Sequence, residues 1–200
     1  MATTTGELTR TLKHAHLCGS PDVPVVDVTH DSRRVKPGFM FASLSGHTAD
    51  SRSHIATARE LGATSLLLEP PAFPTGAAQV LVPSAREALA HVSATTYGVA
   101  ADDVPVIGIT GTNGKTTIAY LVTSILTAAG RRPALVGSIE SRWRDQTHEA
   151  SHTTPEAPEL HAFWAAARAE GADALVVEAS SHGLLLHRTD RIGFTVGVFT

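Results

Sequence analysis

Residues 104–117 read Val-Pro-Val-Ile-Gly-Ile-Thr-Gly-Thr-Asn-Gly-Lys-Thr-Thr, and this stretch decides the fold. Its first part, residues 106–109, is an uncharged apolar run, which is typical of a strand buried on both faces. After the glycines, apolar residues recur at helical spacing as far as Gly130, a predicted C-terminal cap: Ile118, Leu121, Val122, Ile125 and Leu126. The order of strand, glycine-rich turn and helix indicates an α/β domain.

The turn between this strand and helix predicts a polyphosphate site. Glycines let backbone N–H groups approach the phosphates, and the helix dipole favours negative charge. We expect Lys115 to reach the terminal phosphates as a catalytic residue and the Thr116 hydroxyl to ligate Mg²⁺. The first glycine is Gly111, so the pattern is the short form G-x-x-G-K-T-T. The alternative is a glycine-rich turn with a solvated lysine. The residues predicted to bind the nucleotide are Gly111, Thr112, Asn113, Gly114, Lys115, Thr116 and Thr117.

The composition of the 200-residue chain excludes several classes of function. Charged residues make up 18% and the net charge is −3, so we expect no nucleic-acid partner. The single cysteine, Cys18, fits a reducing compartment. The eleven histidines form no zinc pattern. No apolar run approaches the length of a membrane span, and the polar start lacks a secretory pattern. We therefore expect a cytoplasmic protein without membrane association, monomeric when intact.

Strands alternate with helices along the first hundred residues, which predicts a small α/β domain. The predicted elements are a helix at 7–18, strands at 23–29 and 39–42, a helix at 53–62, strands at 65–68 and 80–82, and a helix ending near Tyr97. Ser84 caps this last helix, with Glu87 at capping-box spacing. The polar stretch 100–103 predicts a boundary between domains 1–102 and 103–200.

The second domain is predicted to be a mostly parallel, incomplete sheet around the glycine-rich turn. Its further predicted elements are strands at 133–137, 174–177 and 194–199 and a hairpin or mobile loop at 138–152. We expect a helix ending at Gly171 to start with Thr154 as its cap and Pro155 in its first position.

Glu178 follows a buried strand and is the candidate second ligand for the cation. A carboxylate at the C-terminal end of a strand parallel to the first one lies where a nucleotide-bound Mg²⁺ needs an oxygen ligand. We therefore predict a catalytic and metal-binding role for Glu178, against the alternative of a strand-end acid in a cap or salt bridge. Ser180, Ser181 and His182 follow it, but no G-x-S-x-G elbow surrounds them, so we do not expect a hydrolytic triad.

Four motifs along the chain resemble those of the Mur ligases. Residues 110–117 (TGTNGKTT) resemble the ATP-binding loop of that family. Residues 178–188 resemble the segment of those members that add the third residue of the peptidoglycan stem. Residues 31–33 (Asp-Ser-Arg) and 45–50 resemble their uridine-nucleotide-binding first domain, and residues 153–155 (Thr-Thr-Pro) resemble a substrate-contacting Thr-Thr.

This resemblance implies two sets of substrate-binding residues. Ser32, His47, Thr48 and Ala49 would hold the UDP-sugar, and Thr153, Thr154, Ser180 and Arg188 would hold the muramoyl peptide. Hydroxyls and a guanidinium suit carboxylate and diphosphate oxygens. The alternatives are a turn hydroxyl for Ser32, a helix cap for Thr154 and a surface salt bridge for Arg188.

The resemblance also implies an activity. ATP would phosphorylate the γ-glutamyl carboxylate of UDP-N-acetylmuramoyl-L-alanyl-D-glutamate, and the amine of meso-diaminopimelate or L-lysine would attack the acyl phosphate. Family members continue beyond the point matching Thr200 with an Asp-His-Leu-Asp stretch, a carbamylated lysine and a third domain. We therefore expect a fragment that does not complete ligation alone. A truncated, non-catalytic binding paralogue and an unrelated P-loop phosphotransferase remain alternatives.

Overall fold

The structure is a computed structural model that describes residues 3–44, 51–99, 104–150 and 152–200. The chain divides into two compact units, one ending at Thr96 and the other beginning at Tyr97. The predicted boundary between residues 102 and 103 lies outside the described residues. No helix in the described ranges has the length and apolar character needed to span a membrane.

The N-terminal unit is built on a five-stranded sheet in which β4, β5, β6 and β7 run parallel and β2 is antiparallel at one edge. A short antiparallel pair, β1 with β3, lies apart from this sheet. The strands of the unit are β1 (Thr3–Thr4), β2 (His16–Cys18), β3 (Pro24–Val25), β4 (Asp27–Thr29), β5 (Phe39–Ala42), β6 (Ser65–Leu68) and β7 (Ala78–Leu81).

The described residues of this unit form the helices α1 (Thr5–Thr11), α2 (Ile55–Glu60) and α3 (Ala85–Tyr97). All four residues of β6 are buried, as expected for a central parallel strand whose two faces are both covered. One apolar cluster includes Leu67 and another includes Leu66, because successive side chains of a strand point to opposite faces. The predicted cap of α3 is present, since the Glu87 N–H donates to Ser84 Oγ at 3.2 Å.

Two predictions for this unit need correction. The predicted helix at 7–18 ends at Thr11, and His16–Cys18 instead forms a strand paired with β7. The helical spacing of Leu8, Leu12 and Ala15 therefore predicted a longer helix than the two turns that form. The predicted strand at 23–29 is interrupted at Val26, whose N–H donates to Gly38 O at 3.0 Å outside the strand ladders.

The C-terminal unit contains a six-stranded sheet in the order β11, β10, β9, β12, β8, β13. The four strands β9, β12, β8 and β13 run parallel, and β10 and β11 form the predicted hairpin at one edge. The strands are β8 (Val106–Thr110), β9 (Pro133–Val136), β10 (Glu140–Trp143), β11 (Gln146–Glu149), β12 (Ala174–Glu178) and β13 (Val196–Phe199). The mixed, mostly parallel α/β architecture agrees with the fold class predicted from the sequence.

Helices α4 (Lys115–Ala128), α5 (Ala157–Ala169) and α6 (Ser181–Leu185) complete this unit. The central strand β12 is buried along its whole length, and its side chains contribute to both apolar clusters of the unit. Because β8, β9 and β12 are parallel, their carboxyl ends meet at one edge of the sheet. The segments that follow these three strands therefore begin at the same edge.

The prediction that α5 starts with Thr154 as cap and Pro155 in the first position is wrong. The helix begins at Ala157 with Glu156 as N-cap, and its proline near the start is Pro158. Thr154 Oγ1 instead accepts from the Ser180 N–H at 2.9 Å and donates to the backbone oxygen of Glu178 at 2.8 Å. A contact 24 residues away in sequence has replaced the local one.

Candidate functional site

The glycine-rich turn predicted from the sequence joins β8 to α4 and has the backbone of an anion-binding loop. We call residues 111–117 the phosphate loop. Gly111 has φ +135° and Gly114 has φ +81°, conformations that L side chains rarely adopt. Helix α4 starts at Lys115, so the first N–H groups of the helix have no intrahelical acceptor. These N–H groups and the positive end of the helix dipole suit a phosphate.

The Lys115 side chain folds back across the loop, where its Nζ donates to the backbone oxygen of Gly111 at 2.8 Å. This contact holds the ammonium group directly over the turn. Thr112, Asn113, Gly114 and Thr117 are exposed. The Thr112 N–H donates to the backbone oxygen of Thr200 at 3.2 Å, so the donors that the loop leaves for a polyphosphate are the N–H groups at the start of α4 and the half-buried Lys115 ammonium.

Glu178 ends β12 with a carboxylate that is fully buried and held by three hydrogen bonds. Thr116 Oγ1 donates to Oε2 at 3.0 Å, the Ser138 N–H donates to Oε1 at 3.0 Å, and Ser138 Oγ lies 2.9 Å from Oε2. The two residues predicted as metal ligands are thus in direct contact, although 62 positions separate them. Burial of an acid is tolerated here because its oxygens are hydrogen-bonded.

The spacing of these two oxygens fits a magnesium ion. Magnesium prefers octahedral oxygen ligands at 2.0–2.1 Å, so two neighbouring ligands lie about 2.9 Å apart. Thr116 Oγ1 and Glu178 Oε2 are 3.0 Å apart. A hydroxyl and a carboxylate beside a phosphate loop form a hard-oxygen donor set of the kind Mg²⁺ takes. Mg²⁺ would therefore be held by Thr116 and Glu178.

Sequence reasoning missed two residues at this edge, Gly137 and Ser138, which directly follow β9. A Cβ added at Gly137 would lie 2.4 Å from Glu178 Oε1, so the absence of a side chain there lets the carboxylate approach the backbone. The signal was available, because residues that follow a strand parallel to β8 and β12 lie at the same sheet edge.

The predicted peptide-binding residues form a second group on the other side of Glu178. We call Thr154, Glu156, Ser180 and Arg188 the threonine–arginine network. Thr154 Oγ1 donates to Glu178 O at 2.8 Å and accepts from the Ser180 N–H at 2.9 Å. The Thr154 side chain is fully buried. Thr153 is half-buried and lies 3.1 Å from the Ser138 hydroxyl.

Arg188 is almost completely buried, so the alternative of a surface salt bridge does not describe it. Its Nη1 donates to Thr154 O at 2.9 Å, and its Nη2 lies 2.7 Å from Glu156 Oε1. The exposed fractions of the two side chains are 8% and 13%. Arg188 thus fixes the backbone of Thr154. Contact of this guanidinium with a substrate stays a prediction.

Ser180 caps the short helix α6, because its Oγ accepts from the Gly183 N–H at 3.0 Å. A Cβ at Gly183 would lie 2.7 Å from the Thr154 side chain, so α6 packs closely on that threonine. Ser181 and His182 are exposed, and neither occupies the arrangement of a nucleophile and base. Within the described ranges, no group of three or more His, Cys, Asp or Glu side chains is placed to hold a metal ion.

The predicted UDP-binding residues belong to the N-terminal unit. Ser32 is half-buried in a 3-10 helix (Ser32–Arg34) that Asp31 caps through its bond from the Arg33 N–H at 3.0 Å. The Arg33 side-chain hydrogen bonds hold the pKa of Asp31 at about 2, below its usual 3.8. His47, Thr48 and Ala49 lie outside the described residues.

The fold and this site define a parallel α/β protein with a phosphate loop opposite a strand-end acid. Residues 109–200 match the profile of the Mur ligase middle domain. Residues 109–200 therefore belong to the Mur ligase family.

Curated relatives agree with this assignment. The chain is 45% identical over 171 residues to the UDP-N-acetylmuramoyl-L-alanyl-D-glutamate–2,6-diaminopimelate ligase of Geobacter sulfurreducens, covering 85% of this chain and 34% of the relative. The ligase of the same name from Streptomyces coelicolor is 38% identical over 203 residues, covering 100% and 40%. The chain thus spans little more than a third of the length of these relatives.

Solved structures show the same fold. A UDP-N-acetylmuramoyl-L-alanyl-D-glutamate–2,6-diaminopimelate ligase superposes with a TM-score of 0.81 at 24% identity, covering 100% of this chain and 40% of that one. A MurF ligase from Thermotoga maritima in complex with ADP has a TM-score of 0.59 at 20% identity, covering 84% and 35%.

Proposed function

We propose that this chain forms the UDP-binding part (1–102) and the ATP-binding part (103–200) of a cytoplasmic ligase that makes peptidoglycan precursors. The ligase adds a diamino acid to UDP-N-acetylmuramoyl-L-alanyl-D-glutamate at the expense of ATP. The relatives' names favour 2,6-diaminopimelate over lysine as the added amino acid. The observation that carries the proposal is the 3.0 Å contact between Thr116 of the phosphate loop and the buried Glu178.

The reaction consists of two transfers. The γ-glutamyl carboxylate oxygen attacks the γ-phosphorus of ATP, the bond to the β,γ-bridging oxygen breaks, and ADP leaves. The amine of the diamino acid then attacks the acyl phosphate carbon and expels inorganic phosphate, giving the amide after loss of a proton. Positioning and charge neutralisation provide most of the catalysis in such phosphoryl transfers.

Each residue of the site has a role in the first transfer. The backbone N–H groups at the start of α4 bind phosphate oxygens, and Lys115 moves from Gly111 O to the terminal phosphates. Thr116 and Glu178 would hold Mg²⁺, which would supply positive charge against the charge that develops on the phosphates. Thr153 faces the acceptor, while the threonine–arginine network holds Thr154 and α6 in place.

Calorimetry on the 200-residue chain tests the proposal. We expect ATP to bind in the presence of Mg²⁺ and much more weakly in the presence of EDTA, and we expect Lys115→Ala to weaken the magnesium-dependent binding. The absence of magnesium-dependent ATP binding by folded protein would remove the proposed function.

A thermal shift assay separates the ligase from an unrelated phosphotransferase. Ligands that bind the folded state raise the melting temperature. Stabilisation by both MgATP and UDP-N-acetylmuramoyl-L-alanyl-D-glutamate supports the ligase. Stabilisation by MgATP with no response to the UDP-muramoyl dipeptide favours the phosphotransferase.

A further inference from the structure

Ser138 lies between the cation site and the predicted acceptor site, and it belongs to neither motif. Its backbone N–H and its hydroxyl contact the two oxygens of Glu178 at 3.0 and 2.9 Å. On the other side, its Oγ lies 3.1 Å from Oγ1 of Thr153. One side chain therefore connects the carboxylate proposed to hold Mg²⁺ to the hydroxyl proposed to face the acceptor.

The number of protons on each group decides which group donates each of these hydrogen bonds. A serine hydroxyl has one proton to donate and two lone pairs, whereas a carboxylate can only accept. The geometry lets the Ser138 hydroxyl donate to either Glu178 Oε2 or Thr153 Oγ1, and because it has one proton and the carboxylate is the stronger acceptor, the proton goes to Glu178. Thr153 must then supply the proton of its own contact with Ser138. The hydrogen bonds run from Thr153 to Ser138 and from Ser138 to Glu178, and charge-assisted bonds of the last kind are the stronger ones.

Cation binding makes the serine bond more important. If Thr116 and Glu178 held Mg²⁺, Thr116 Oγ1 would be a ligand of the ion and would no longer donate its proton to Glu178 Oε2. Ser138 is then the remaining side-chain hydroxyl bonded to that oxygen. The partners of metal ligands set ligand orientation and basicity, and their loss typically lowers metal affinity by about 10–100-fold.

We propose that Ser138 is a positioning residue that holds Glu178 in its cation-binding orientation and couples Thr153 to the cation site. The inference rests on the proposed function, because it takes Mg²⁺ as the ion and the acceptor as the ligand beside Thr153. It assigns to Ser138 a role that a solvent-exposed residue at the end of a strand does not otherwise have.

The chain allows a matched set of variants. Ser138→Ala removes the hydroxyl and keeps the N–H bond to Oε1. Ser138→Thr keeps the hydroxyl, and the exposure of this side chain leaves room for the extra methyl. Ser181→Ala removes an exposed hydroxyl from the same sheet edge as a control. Thr153→Val removes the far hydroxyl with little change in shape.

Titration calorimetry with the non-hydrolysable analogue adenylyl imidodiphosphate, over a series of Mg²⁺ concentrations, measures the cation affinity of the site. We expect Ser138→Ala to raise the Mg²⁺ concentration needed for half-maximal analogue binding by about tenfold or more. Ser138→Thr should restore most of that loss, and Ser181→Ala should leave the wild-type value unchanged.

A double mutant tests the coupling. We expect Thr153→Val alone to raise the Mg²⁺ concentration needed for half-maximal analogue binding. The same substitution in Ser138→Ala should raise that concentration no further, since the connection between Thr153 and Glu178 is already broken there. Additive effects would overturn the coupling, and an unchanged magnesium dependence in Ser138→Ala would overturn the positioning role.

These failures differ from failure of the proposed function, in which wild-type protein itself shows no magnesium-dependent analogue binding. If Ser138→Ala does not fold, Ser138→Thr and Thr153→Val still decide the case. A Thr153→Val variant with wild-type magnesium dependence then overturns the inference.

Discussion

The phosphate loop and the threonine–arginine network both contact Glu178, yet they are built in opposite ways. The loop comes from seven consecutive residues, of which Thr112, Asn113, Gly114 and Thr117 are exposed, and Lys115 Nζ bonds the loop's own Gly111 O. The network joins segments as far as 34 positions apart and turns its polar groups toward one another. The loop contacts the carboxylate of Glu178 through Thr116, whereas Thr154 contacts its backbone oxygen.

This difference teaches that binding and positioning have different requirements. A loop that is to receive a ligand must keep its donors available, so it can contribute little to folding. A network whose members bond one another has little left for a ligand, and its loss leaves buried groups without partners. We therefore expect loop variants to affect affinity and network variants to affect stability.

The largest expected effect is on the network. Arg188→Met removes the guanidinium from its 2.7 Å contact with the largely buried Glu156, and breaking a buried pair in this way costs about 3–5 kcal/mol of unfolding free energy. Arg144→Met is the matched control, because the exposed Arg144–Glu170 pair is 3.9 Å long, with exposed fractions of 56% and 45%. Its loss should cost at most about 1 kcal/mol.

Urea denaturation followed by circular dichroism measures both variants. Adding Glu156→Gln to Arg188→Met removes the negative charge that the guanidinium faced and should recover part of the loss. Equal destabilisation by Arg188→Met and Arg144→Met would contradict the contrast.

The second effect is on nucleotide affinity. Lys115→Ala removes the cation of the phosphate loop, and the loss of a charged hydrogen bond corresponds to about 1.5–3 kcal/mol, or roughly a 10–100-fold weaker Kd for MgATP. Its unfolding free energy should change by less than about 0.5 kcal/mol, because the hydrogen bond from Lys115 to Gly111 O lies within its own loop. Lys115→Arg serves as the charge-retaining control. A large loss of stability with unchanged affinity would reverse the comparison.

The third effect involves the close approach at Gly137. Gly137→Ala places a Cβ 2.4 Å from Glu178 Oε1, so the carboxylate or the backbone must shift, and overpacking of this kind costs about 1–3 kcal/mol. Gly197→Ala is the control, because a Cβ there meets nothing within 4 Å. We expect Gly137→Ala to lower both the unfolding free energy and the affinity of the site for Mg²⁺, and Gly197→Ala to lower neither. Tolerance of Gly137→Ala on both measures would mean that the carboxylate is not held against this backbone.

The smallest effect extends the comparison to a second local motif, Asp31 with Arg33. Because the folded pKa of Asp31 is depressed to about 2, the pair contributes stability above the unfolded pKa near 3.8 and loses it as pH falls toward 2. Arg33 is 86% exposed, so solvent screening keeps this contribution small.

Urea midpoints at pH 5 and pH 2.5 measure this contribution. Wild-type protein should lose slightly more stability between the two pH values than Arg33→Ala. An equal loss in the two proteins would remove the Arg33 contribution.

The features readable from the sequence are those whose cause lies within a few residues. The spacing of Gly111, Gly114 and Lys115 predicted the phosphate loop, and the buried run before Glu178 predicted the strand and its end. The helix predicted from residue 7 was too long, because helical spacing does not show that His16–Cys18 can pair with β7. Thr154 was misassigned as a cap because a threonine before Pro-Glu has the same local pattern whether or not its hydroxyl bonds another strand.

The sequence by itself determined the parallel α/β class, the phosphate loop, and Lys115 and Glu178 as the charged residues beside it. It could do so because glycine conformation, side-chain charge and strand hydrophobicity act locally. The tertiary structure decided that Thr116 lies 3.0 Å from Glu178, that Ser138 bonds the same carboxylate, and that Arg188 is buried against Glu156. These contacts depend on the order and register of parallel strands, and no short stretch of sequence encodes which strand ends become neighbours.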